Sequence, residues 1–121
     1  MITNEMGKPI KESLGEIDKS VSIIDYYNKT AEQFLEEETI PSRFKHALVV
    51  SQPWGPTLSK IRKLKLLIDI LPWNFPIWLP FKIGFPALVS GCPVLLKHAI
   101  SVPQCAIAVE ELFRDAYAHL N

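Results

Sequence analysis

Apolar residues at Ile10, Leu14, Ile17, Val21, Ile24, Tyr27, Ala31 and Phe34 follow one another at steps of three or four, the spacing of one helix face. The pattern predicts a long helix from Pro9 to about Glu37. Pro9 suits the first helical position, where its missing N–H would be unpaired anyway, and Lys8 falls at the cap. Met1 to Met6 reads as the tail of a preceding helix that ends at Gly7. Glu36, Glu37 and Glu38 lie at the end of the long helix where the dipole disfavours acids, so fraying is expected there. Pro41 and Ser42 stop it. Ala47 to Val50 then reads as a short strand leading into the turn Gln52-Pro53-Trp54-Gly55-Pro56.

The pattern changes after the turn. Leu66 to Leu71 is a nearly continuous apolar run, as in a strand buried on both faces, and Asp69 interrupts it; a carboxylate there needs a partner or a loop to face. Phe75 to Ser90 has the length of a helix, but Pro80 and Pro86 demand a kink or a broken element. Val94 to Leu96 is a second short apolar strand. Ser101 followed by Gln104 reads as a capping box opening a last helix to about Tyr117, with Ala106, Val109, Leu112, Phe113 and Ala116 on its apolar face. From residue 66 the order is strand, helix, strand, helix. Connection rules make this a right-handed β-α-β-α unit with parallel strands.

Composition narrows the function classes. The 121 residues fit one modest domain, with 48% hydrophobic and 21% charged positions, as in ordinary globular chains. Thirteen basic residues balance thirteen acidic ones, which argues against a nucleic-acid partner, since such partners need a cationic surplus. Cys92 and Cys105 have no metal-ligand spacing to another Cys or His, so no metal site is expected and both read as reduced thiols of a cytoplasmic protein. The N-terminus lacks the apolar stretch of a secretory signal, and no run is long and apolar enough for a membrane span. Ser59 to Lys65, SKIRKLK, is a basic stretch suited to a membrane or partner contact; a solvated loop is the preferred reading, and no membrane association is expected.

Chemistry concentrates at two strand ends. Pro72-Trp73-Asn74-Phe75-Pro76 follows the first buried strand directly, and ligands of open parallel sheets bind at the carboxyl ends of strands. The Asn74 amide suits a developing negative charge, and Trp73 offers a flat apolar surface. Lys97 follows the second strand in the same way and suits a hydroxyl or phosphate. On spacing alone, a proline-rich turn with a structural Asn and a solvated Lys is the more economical reading.

Taken together, EMGKPIKESLGEI, QPWG, PWNFPIW, PALVSGCPVLLKHA and VPQCAIAVEELFRDA resemble the aldehyde dehydrogenase superfamily, in that family's order and closest to its succinate-semialdehyde dehydrogenase-like branch. The resemblance covers most of residues 2–116. It implies an α/β fold, a partial Rossmann-like parallel sheet preceded by a long N-terminal helix, and so an incomplete aldehyde dehydrogenase domain over 1–121. Within it, 1–40 is the helical part, 41–65 a strand and basic insert, and 66–121 half of the NAD(P)-binding domain. It implies NAD or NADP as cofactor and oxidation of an aldehyde to a carboxylic acid. Asn74 matches the oxyanion-hole residue. Trp73 and Asn74, with the backbone of Ile70, Leu71 and Pro72, match the motif lining the nicotinamide side of the cleft. Lys97 matches the residue that contacts the adenine ribose or its 2′-phosphate, and His98, Ala99 and Ile100 complete that motif.

Departures from the family pattern qualify what is implied. Ile100 stands where Glu or Ser commonly reaches the ribose. Neither Cys92 nor Cys105 matches the nucleophile, and the general-base Glu and the glycine turn on the pyrophosphate have no counterpart. Without nucleophile or base the isolated chain is expected not to turn over. Sixteen residues separate Gly55 from Pro72, roughly ten more than the family spacing, with the surplus in Thr57 to Lys65, an insertion that costs little loop entropy. Pro93 enters the second strand, which suits an edge. The expected partners are further copies of the chain or intact aldehyde dehydrogenase subunits. A small aldehyde is expected as substrate only in the full-length family.

Overall fold

The structure, a computed structural model, describes residues 1–52 and 67–118. The turn through Pro53–Pro56, the basic stretch Ser59–Lys65 and the insertion lie outside the described residues. Helix α1, Ile2–Met6, ends at Gly7, which adopts φ 77 and donates its N–H to the Thr3 carbonyl at 3.0 Å. That left-handed stop is cheap only for glycine. Helix α2 runs Ile10–Leu35, one residue later than expected at its start, with Pro9 as the cap and Lys8 turned inward to other work. At its other end Glu38–Thr39 forms β1 in place of a fraying helix, pairing antiparallel with β2, Leu48–Val49.

The expected β-α-β-α order is present. Strand β3, Leu67–Ile70, pairs in parallel with β4, Val94–Lys97, in the register Leu67↔Val94, Ile68↔Leu95, Asp69↔Leu96, Ile70↔Lys97. Between them the chain is broken as the two prolines require. A π-helical turn, Pro80–Gly84, passes into the short helix α3, Phe85–Val89. Pro80 and Pro86 each fall in the first turn of their own element, where a missing N–H costs least, so the segment divides into two short helical pieces. Helix α3 closes with the paired bonds of a Schellman motif, Cys92 N–H to Ala87 O at 2.8 Å and Gly91 N–H to Leu88 O at 2.9 Å, with Gly91 at φ 77.

Helix α4, Pro103–Ala118, opens differently from expectation. Its first free N–H groups are not satisfied by the Ser101/Gln104 capping box. The Glu5 carboxylate, at the end of α1, accepts from Gln104 N–H at 2.7 Å and from Cys105 N–H at 2.9 Å. Burial alone would raise the Glu5 carboxyl, but the Cys105 thiol and these two amides outweigh it and hold the carboxyl below its ordinary value. The same burial pushes the Cys105 thiol up to about 12, so it is a core residue with no thiolate chemistry near neutrality.

Two faces decide where the core lies. Ile2, Ile77, Phe81, Val102, Cys105 and Val109 form it, with Met6, Ile24, Leu96, Ala99 and Phe113 packed on its edge, and the Phe81 and Phe113 rings stack at 5.4 Å. The core therefore sits between α1, α4, the Ile77–Phe81 segment and one face of the β3–β4 pair. Of the long apolar stripe of α2, Ile24 reaches the core edge and Tyr27 is half-buried, but most of the rest stays outside. Ile10 is 68% exposed and Leu14 62%, and Ile17, Val21 and Phe34 are exposed as well; the buried residues of α2 are Glu16 and Ser20. The buried Lys8–Glu16 pair sets this rotation of the helix.

Candidate cofactor-loop site

Because β3 and β4 are parallel and in register, the loops that leave them emerge side by side. Ile70 lies opposite Lys97, and Leu71 N–H continues the ladder to the Lys97 carbonyl at 3.1 Å. Side chains alternate across a strand, so Ile68, Ile70, Leu95 and Lys97 share one open face while Asp69, Leu96 and His98 turn toward the core side. The structure thus brings the two candidate segments, Ile70–Asn74 and Lys97–Ile100, to one end of the sheet.

Within those segments the residues divide by exposure. Pro72, Trp73, Asn74, Lys97 and Ile100 face outward, Ile100 at 93% exposure; Leu71 is buried beneath them and Ala99 half-buried. His98 is committed to holding the two loops together. Its Nδ1 accepts from Ala99 N–H at 2.8 Å, which leaves Nε2 to carry the proton and donate to the Pro76 carbonyl at 2.7 Å. The imidazole is therefore a brace between loops, with no free nitrogen for a ligand. An open hollow of about 480 Å³ lies beside Trp73, between Ser101, Glu5 and Met6.

The loop carrying Asn74 is anchored from beneath by two residues whose chemistry was not read from the sequence. Lys8 pairs with Glu16, their side chains 7% and 1% exposed, and Lys8 Nζ also donates to the Asn74 carbonyl at 2.7 Å. Glu16 Oε1 accepts from Ile77 N–H at 2.7 Å and Trp78 N–H at 3.0 Å. The Lys8 ammonium lies 4.1 Å from the centre of the Phe75 ring. One carboxylate and one ammonium thus tie α2 and the segment before it to both sides of Phe75–Pro76. This requirement, and no apolar preference, turns Glu16 inward and leaves Ile10, Leu14 and Ile17 on the outer surface. Both residues belong to the GKPIKESLGEI stretch, but eight positions of separation gave no signal that they pair, and the groups they hold are more than sixty positions away.

The arrangement sets an exposed amide and indole on one loop and a cation on the next, on a braced parallel pair.

The aldehyde dehydrogenase family model matches residues 1–119. The succinate-semialdehyde dehydrogenase (NADP(+)) of Deinococcus radiodurans is 40% identical over 116 residues, which are 96% of this chain and 22% of that protein. A probable succinate-semialdehyde dehydrogenase (NADP(+)) of Synechocystis sp. is 35% identical over 96% of this chain and 23% of its own length. Among solved structures, succinic semialdehyde dehydrogenase from Streptococcus pyogenes in complex with NADP+ superposes with a TM-score of 0.84 at 31% identity, over 95% of this chain and 23% of that one. The structure of Gox0499 gives the same TM-score at 37% identity over the same shares. The chain spans under a quarter of the length of these relatives, and the small sheets and long N-terminal helix match the N-terminal part of their fold. On the match over nearly its whole length, this chain belongs to the aldehyde dehydrogenase family.

Proposed function

We propose that this chain forms one wall of the nicotinamide-cofactor cleft of an NADP-dependent aldehyde dehydrogenase, with succinate semialdehyde as the substrate class of the whole enzyme, and that alone it does not turn over. The observation that carries the reading is the juxtaposition of the Asn74 and Lys97 loops at one end of a parallel pair. Lys97 holds the adenine ribose or its 2′-phosphate, and Trp73 and Asn74 line the nicotinamide side. When bound, the cofactor supplies the hydride acceptor. The Asn74 amide donates to the oxygen on which charge develops, while Lys8 and His98 fix the loop that carries it. The residues present favour a 2′-phosphate. Lys97 is cationic, and Ile100 places no carboxylate beside it, so nothing at that position repels the phosphate. The NADP(+) named for the relatives points the same way.

The test is a thermal melt followed by circular dichroism, with and without millimolar cofactor. NADP is expected to raise the midpoint more than NAD, and Lys97→Ala to lose the rise while melting as before without cofactor. Indifference to both cofactors would remove the proposed site.

A second reading, as a module that docks on intact aldehyde dehydrogenase subunits, is favoured by the apolar surface left open: Ile68, Ile70 and Leu95 on the sheet, and Ile10, Leu14 and Val21 along α2. Co-expression with a full-length aldehyde dehydrogenase should then give co-purification that Ile68→Lys or Leu14→Lys abolishes. Separate elution of the two at micromolar concentration would sink it.

A further inference from the structure

We propose that the cavity between the β3–β4 pair and α4 is a binding site for a small organic cation, a protonated amine on an apolar body, with Asp69 as its counter-ion. The cavity holds about 560 Å³, the size of an ordinary small-molecule site, and its wall includes Leu88, Val94, Leu96, Val109 and Phe113 as well as Asp69. Asp69 is only 7% exposed, and its Oδ2 is buried with no hydrogen-bond partner among the described residues. Gly84 faces it, and a carbon added there would sit in ordinary van der Waals contact, 3.9 Å from Oδ2, offering no donor. A carboxylate removed from water in this way is costly unless a cation or donor meets it.

The other polar groups around the cavity do not meet that need. His98 has both ring nitrogens spent on Ala99 and Pro76. Arg114 is exposed at the rim and engaged with Glu110 at 3.1 Å and Glu111 at 3.9 Å. Glu110 adds negative charge to the rim. The field inside is therefore negative over apolar walls, which selects an ammonium with a hydrocarbon body and rejects phosphates. This cavity lies on the core side of the sheet, across from the face that carries Ile70 and Lys97, and the proposal does not depend on the cofactor reading.

Benzylamine, protonated at neutral pH, is the probe, with benzyl alcohol as the neutral molecule of the same shape. Titration of the whole chain followed by amide NMR should show saturable shifts at Val94, Leu96 and Val109. Benzyl alcohol should bind about tenfold more weakly or worse, the loss expected of one charge-assisted hydrogen bond. Asp69→Asn keeps the shape, removes the charge, and should abolish the preference for the amine. Absent shifts, shifts at other amides, or equal affinity for the two probes would overturn the proposal. The comparison of probes on the unsubstituted chain decides the matter even if the variant fails to fold.

Discussion

Glu16→Ala is expected to cost about 3–5 kcal/mol of folding stability, the penalty for breaking a buried pair and stranding its partner. The carboxylate has three obligations: the Lys8 ammonium and the Ile77 and Trp78 amides. Removing it leaves Lys8 shielded from solvent, with only the Asn74 carbonyl and the Phe75 ring facing it, and leaves one buried and one part-buried N–H without an acceptor. Lys8→Met is expected to cost less, because Glu16 would still be met by the two amides. Glu16→Gln should fall between, keeping an acceptor for the amides but not the compensating charge. Urea melts of the three variants give the order, and faster hydrogen exchange at Ile77 and Trp78 locates the damage. A loss under about 1 kcal/mol for Glu16→Ala, typical of a surface ion pair, would mean that the pair is not the anchor of the Asn74 loop.

That anchor marks the boundary between what the sequence reveals and what it conceals. Local signals were legible: Gly7 as a helix stop, β3 and β4 as strands, the break at Pro80 and Pro86, and part of the apolar face of α4, where Val109 is buried and Phe113 stacks on Phe81 while Leu112 and Ala116 are exposed. Each is decided by neighbours a few positions away. Against expectation, strand β3 is not buried on both faces, since Ile68 and Ile70 are exposed and Asp69 is the residue turned inward. The orientation of α2 was not legible, because periodicity identifies the apolar stripe but not whether a stronger demand faces the opposite side. Here the desolvated Lys8–Glu16 pair outranks the stripe, and Ile10 and Leu14 are left exposed. The opening of α4 failed for the same reason. Ser101 and Gln104 have the spacing of a capping box, yet the acceptor is Glu5, about a hundred positions earlier. At the candidate site the motif residues could be named, but not that His98 is a brace between loops, since its partner carbonyl at Pro76 belongs to the other segment.

Asp69→Leu is expected to stabilise the chain at neutral pH by about 1–3 kcal/mol, the cost of keeping a buried polar group unsatisfied. Burial raises the Asp69 carboxyl above its ordinary value of 3.8, so the folded chain holds that proton to higher pH than the unfolded one does. Between the two values the folded state binds more protons, and its stability falls as pH rises. The penalty is complete above the folded value and absent below 3.8. The gain from Asp69→Leu should therefore shrink on acidification, with the two proteins converging in acid. Glu5 has the opposite sign: its lowered carboxyl stabilises α4 above the ordinary carboxylate value, and that contribution is lost as pH falls through the folded one. Both proteins keep Glu5, so both should lose stability in acid, and only the difference between them isolates Asp69. The leucine side chain finds apolar neighbours in Val94, Leu96 and Leu88 along the cavity wall. Denaturant melts across the acid-to-neutral range read the difference directly. A variant less stable than the parent at neutral pH would show that the carboxylate has a stabilising partner there. A gain independent of pH would assign the effect to the added apolar contact instead of the removed charge.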